Sequence, residues 1–230
     1  MKSCLGSILF IIFASAALHA QTRPVQAPAA KKSAAVAPVK PTIDKGILSD
    51  RTYTNETLNF SFTLPDAWLI QNNDFEDDMK KEEFQFSLGA PDSQAQAARA
   101  RMNRSLNRVG VLITAYRQMP GSKEIVVLRV TAEDLTANPQ IKDAVDYFDA
   151  IRASYRAMKL PTDFKYSETT AEQLGPRQFG VLDITSNAGK KRMYATVRNG
   201  FAIMFTLSYT SDDDLQTVRE ILAGANFKLK

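Results

Sequence analysis

The carboxylates offer the first candidate chemistry. Asp212, Asp213 and Asp214 stand in a row, an arrangement that invites a metal-ligand or acid–base reading. The residue before them supplies a simpler one. Ser211 is a helix-capping type, Asp214 falls at the third helical position of a capping box, and a helix start favours negative charge beside its free N–H groups. Capping is the expected role. Asp183 and Glu172 form a second pair that would act as acid and base if the fold brought them together. Tyr194, Lys191 and Arg192 would then help to hold a substrate, although none belongs to a spaced motif. Between Asp74 and Glu83 lie six carboxylates and two lysines. Hard cations take several oxygen ligands, but this run lacks the Asp/Asn–Gly–Glu order of a calcium loop, so a solvated charged loop is expected. There is no Gly-rich phosphate loop, Walker Lys–Ser/Thr pair or dinucleotide fingerprint. No catalytic, cofactor-binding or metal-ligating residue is assigned, and no cofactor is expected.

Binding chemistry has more to work with. Arg101, Arg104 and Arg108 recur at spacings of three and four, and with Arg99 they form a basic stripe with no acid between Gln94 and Arg108. A phosphate or an acidic partner would dock on such a stripe. The plainer alternative is a set of solvated arginines paired with acids elsewhere in the fold. Trp68, the only Trp, is either a core lid over a sheet or a binding platform. Trp68, Arg101, Arg104 and Arg108 are the candidate partner-binding residues.

The single Cys and the single His are Cys4 and His19. Both precede a cleavage site. Lys2 gives a positive n-region, Leu5 to Leu18 is apolar, and Ala20 would be the last residue before a cut, the pattern of a secretory signal peptide. The apolar run is shorter than the ~20 residues that a spanning helix needs, which disfavours a retained anchor. After cleavage the chain would have no thiol and no imidazole. That excludes Ser-His-Asp and Cys-His catalysis, disulfides, and zinc sites built on Cys or His. Residues 21–45 are rich in Pro, Ala and Lys, and their composition cannot offset the entropy of ordering. They read as an extended spacer, able at most to brush an anionic surface through Lys31 and Lys32.

Charge follows the same division. The whole chain carries +4, but residues 46–230 hold 23 Lys or Arg against 24 Asp or Glu. The basic character therefore belongs to the leader and tail. A nucleic-acid-binding domain would need a basic surface of its own, so no nucleic-acid partner is expected. Residues 46–230 are sized for a single domain.

The elements that must position these side chains follow from periodicity. Leu58, Phe60, Phe62 and Leu64 alternate with Asn59, Ser61 and Thr63, a strand with one buried face that Pro65 ends. Phe84, Phe86 and Leu88 predict another. A helix is predicted over residues 95–106, with a stripe of Ala95, Ala98, Met102 and Leu106. Residues 109–118 and 124–131 are strand candidates joined through Pro120-Gly121-Ser122. Ile141, Val145, Phe148, Ile151, Tyr155 and Met158 predict a helix from Pro139 to Lys159 with Asn138 as its cap. Residues 177–184, 190–197 and 201–209 predict three strands, the last two joined by Asn199-Gly200, which readily takes positive φ. A final helix should start after Ser211, bury Leu215, Val218, Ile221 and Leu222, and end at Gly224. Asn226-Phe227 then returns to the sheet edge.

Two segments carry a family resemblance. Tyr53-Thr54-Asn55, followed by Leu58, Phe60, Phe62, Pro65 and Trp68, resembles the opening of the PsbP/Mog1-like families. The ending from Met193 to Phe227 is similar to their closing hairpin, last helix and final short strand. The likeness spans roughly residues 50 to 230. It implies an α/β (α+β) fold, an antiparallel β-sheet flanked by helices in an α/β/α sandwich. The family holds photosystem II extrinsic subunits, a nuclear-transport cofactor and many exported bacterial proteins. Its members act mostly as non-enzymatic binding or assembly modules. Together these readings lead to the expectation of an exported interaction or assembly module, in the periplasm or secreted, with a protein partner in the cell envelope. Two alternatives are a small apolar-ligand or lipid-binding protein, with a groove beside Trp68, and a carboxylate- or metal-dependent enzyme.

Overall fold

The alternating segment builds the strand that its pattern demands. A computed structural model describes residues 43–71, 108–118, 126–157 and 160–227. In it Leu58, Phe60, Phe62 and Leu64 are all buried. The strands are β1 (Ile47–Ser49), β2 (Thr52–Asn55), β3 (Phe60–Thr63), β4 (Leu69–Gln71), β5 (Val109–Tyr116) and β6 (Val127–Asp134). After helix α1 (Ala144–Ala157) come β7 (Lys165–Tyr166), β8 (Thr170–Leu174), β9 (Arg177–Ser186), β10 (Gly189–Arg198) and β11 (Phe201–Tyr209). Helix α2 (Asp212–Ala223) and β12 (Asn226–Phe227) complete the order. The expected strand at residues 83–88, the expected helix at 95–106 and the Pro120–Ser122 turn lie outside the described residues.

The strands make two antiparallel sheets. The larger runs β4-β5-β6-β11-β10-β9-β7, with β8 also pairing with β9; the smaller runs β1-β2-β3-β12. Alternation assigns the faces of the larger sheet. Phe179, Val181, Tyr194, Ile203, Phe205 and Leu207 enter one core with Phe60, Phe62 and Phe227. Leu182, Ile184, Met193, Ala195 and Ala202 enter another with Tyr147, Phe148, Ile151 and Tyr155 of α1. The expected antiparallel sheet with helices on its faces is present. Its second face carries a mixed layer, however: α2 together with the smaller sheet. For the same reason Phe227 does not return to the edge of the larger sheet, and β12 pairs instead with β3, Phe227 opposite Phe60.

Rings join the layers. Phe60 and Phe62 reach Phe205 edge-on at 6.1 and 5.7 Å. Phe227 stacks on Phe60 at 5.6 Å and meets Phe179 at 5.7 Å. Trp68 is also in this core, only 3% exposed. Arg51 holds the turn beneath it, donating from Nη2 to the Trp68 carbonyl at 2.5 Å and to the Pro65 carbonyl. The packed body takes in three residues that the sequence assigns to the spacer. Ile43 is buried against Gly110, and Lys45 donates to the Val111 carbonyl at 3.0 Å.

Helix α1 starts later than its spacing predicts. Asp143, not Asn138, is the cap: its Oδ1 accepts from the amides of Val145 and Asp146 at 2.8 and 2.9 Å. Two turns, Asn138 N to Leu135 O and Ile141 N to Asn138 O, precede it, and the Lys142 amide, which a helix from Pro139 would aim at the Asn138 carbonyl, donates to Asp146 Oδ2 instead. A side-chain acceptor at the right offset outcompetes the Pro signal. Ile141 is buried all the same, but Val145, expected in the buried stripe, is 48% exposed. Helix α2 follows its pattern. Ser211 and Asp214 form both arms of the capping box, and Gly224 is the C-cap.

Helix α1 seats on the sheet at Gly180, where a Cβ would lie 2.7 Å from the Ala144 Cβ. Gly180→Ala is therefore expected to force α1 outward and to cost about 1–3 kcal/mol. Urea denaturation would read it, and an unchanged midpoint would contradict this packing.

Candidate functional site: an ion-pair seam and a buried carboxylate

Strand register brings several of the singled-out residues together. Asp183 of β9 lies directly opposite Arg192 of β10. Arg192 forks onto it, Nε to Oδ1 at 2.6 Å and Nη2 to Oδ2 at 2.7 Å. Two residues along β10, on the same face, Tyr194 stands opposite Val181. Glu172 arrives from β8, opposite Phe179, and Arg219 of α2 meets its Oε1 at 2.5 Å. The result is a seam of two ion pairs flanking the Tyr194 phenol, laid across β8, β9, β10 and α2.

Burial is graded along the seam. Tyr194 is fully buried, whereas the four charged side chains are between 20% and 43% exposed. Desolvation pushes the Tyr194 phenol up to about 12, and Glu172 adds to the effect while Arg192 and Arg219 oppose it. Among the described residues, neither Glu172 Oε1 nor Arg219 Nε makes an aligned hydrogen bond. The fork from Asp183 raises the Arg192 pKa. The pair proposed as acid and base thus ends up with each carboxylate held by its own guanidinium.

Lys191 does not join them. It points to the α1 side of the sheet with Met193 and Ala195, and burial lowers its ammonium to about 8, with the nearby Arg129 charge adding to the effect. Asp214 is consumed by structure. Its Oδ2 accepts from the Ser211 amide and hydroxyl at 3.0 and 2.8 Å, and its Oδ1 pairs with Arg117. Burial raises its pKa, but those bonds outweigh the effect and leave it lowered. Asp212 and Asp213 share the first turn of α2. Among the described residues no group of three or more His, Cys, Asp or Glu side chains converges to hold a metal.

Of the candidate partner-binding residues, Trp68 occupies the core, the first of its two expected roles. Its backbone carbonyl is held by Arg51. Arg108 is half-buried at the start of β5, where its charge acts on the buried Glu133. Arg101 and Arg104 lie outside the described residues.

The strand expected at residues 124–131 stops short of Glu133, which receives no role from the sequence. It is the penultimate residue of β6 and only 2% exposed. The Tyr147 hydroxyl of α1 donates to its Oε2 at 3.0 Å. Desolvation pushes its carboxyl from 4.5 to about 7, against the lowering effects of Tyr147 and Arg108, with the Asp134 charge adding to the rise. The signal available in the sequence was weak: an acid at an inward position of a strand that ran three residues further than its pattern suggested.

Comparison with known proteins adds one observation of fold. No family model matches the chain, and no curated protein matches it. Ten chains of solved structures do. One is the solution structure of cyanobacterial PsbP from Synechocystis sp. PCC 6803, 14% identical, covering 84% of this chain and all of that one at a TM-score of 0.42.

Glu133 sets a pH dependence. Folding binds its proton more tightly, so its contribution to stability is fully present below about pH 4.5 and is lost as pH rises towards 7. Glu133→Gln keeps an acceptor for Tyr147 and removes the titration. Relative to the parent, the variant should gain up to about 3 kcal/mol between pH 4.5 and 7.5, read as urea midpoints across that range. Parallel curves for the two proteins would contradict the assignment.

Proposed function

We propose that this chain is an exported, non-enzymatic interaction module of the cell envelope, and that the ion-pair seam is its contact surface for a protein partner. The observation that carries the reading is the geometry of the seam: two partly exposed ion pairs held on paired strands and a helix. Such an array presents fixed charges of both signs to a partner. Charged groups at a protein contact fix register and speed encounter more than they add raw affinity. The leader and the spacer at residues 21–45 support placement outside the cytoplasm and would hold the folded body clear of the membrane during export.

The test is site-specific crosslinking in the native host's envelope, with a photo-reactive group at the exposed Gln173 beside Glu172. A stoichiometric protein adduct is expected, and it should fall several-fold when Arg192→Ala and Arg219→Ala are combined. These pairs are only partly exposed, so the double variant is compared with the parent by circular dichroism, and a parent-like spectrum is expected. An adduct that the double variant leaves unchanged, or none in repeated trials, would overturn the proposal.

A further inference from the structure

Helix α1 begins at Ala144, not at Pro139. An arm of turns from Leu135 to Asp143 runs beside the tip of the β10–β11 hairpin, pinned to it by the Leu135 amide on the Gly200 carbonyl at 2.8 Å. Asn199 and Gly200 turn that tip with φ of 51° and 77°. Between arm and tip lies a pocket of about 320 Å³. Leu135, Ile141 and Val197 supply its apolar lining, and Lys142 stands at its border.

We infer that this pocket binds a small amphiphilic monocarboxylate, its apolar tail against Leu135, Ile141 and Val197 and its head on the Lys142 ammonium. Size sets the first limit, since the volume lies at the bottom of the range for ligand pockets, ~300–1,000 Å³. Charge sets the second. Lys142 makes no salt bridge among the described residues. Asp143 and Asp146, the nearest acids in sequence, are engaged by backbone amides of the α1 start, the Lys142 amide itself included. Arg198 also borders the pocket, but its guanidinium carbon sits 5.8 Å from the Phe227 ring centroid, in the other core. A single ammonium suits a single negative charge better than a phosphate dianion. The site shares no residue with the seam and does not rest on the interaction proposal.

Octanoate and octylamine separate the contributions of head and tail. Titrated into the full chain and followed by amide NMR, octanoate should shift residues 135–142 and 197–200 in a saturable manner. Octylamine, with the same tail and opposite charge, should bind on the order of fivefold more weakly, the size of one exposed ion pair. Lys142→Glu should reverse that preference, and Thr136→Trp at the pocket border should weaken both ligands. Equal binding of the two ligands, shifts confined to other parts of the chain, or an unchanged preference in Lys142→Glu would overturn the inference.

Discussion

The structure depends on aromatic contact between its two sheets. Phe60 and Phe62 of the smaller sheet meet Phe205 of the larger, and Phe227 closes the cluster against Phe179. Each such ring removes some 150–250 Å² from water. The smaller sheet, with strands of two to four residues, is too slight to persist unsupported. The larger sheet in turn would expose its most apolar face without the smaller sheet and α2. Each layer is stable only because the other is present.

The polar features sit at the margins of that contact. Tyr194 and Phe179, whose rings lie 6.3 Å apart, belong to the aromatic core, while Arg192, Asp183, Glu172 and Arg219 ring its outer border. A one-residue slip of β10 against β9 would turn the whole row to the other face, so the buried rings fix the register that makes the ion pairs. Glu133 and Lys191 lie on the opposite face, where burial perturbs both. The pocket beside Lys142 lies apart from both, between the arm before α1 and the tip of the β10–β11 hairpin.

Much of this was legible in the sequence wherever one physical signal dominated. Period-two alternation set β3, Asn199-Gly200 set the β10–β11 hairpin, and Ser211 with Asp214 set the start of α2. The reading failed where signals competed. Apolar spacing and a Pro argued for a helix from residue 139, and the Asp143 cap prevailed because it satisfies amides that the Pro signal leaves open. In the smaller sheet β1, β2 and β12 are only two to four residues long, too short for a period to read, and tertiary pairing defines them, so the second sheet was missed. Of the residues singled out by type, Asp183, Glu172, Arg192 and Tyr194 share one seam and Lys191 does not. Their convergence depends on register and on α2 crossing β8, which no local pattern encodes. Glu133 was invisible because its place in β6 follows from where that strand ends.

Native-state hydrogen exchange measures the mutual dependence of the two sheets most directly. If the ring contact unites them, the slowest amides of β2 and β3 should open with the same free energy, and the same denaturant dependence, as those of β10 and β11. Release of β2 and β3 at a free energy several kcal/mol lower, with β10 and β11 still protected, would show that the larger sheet stands without its partner and would contradict the account.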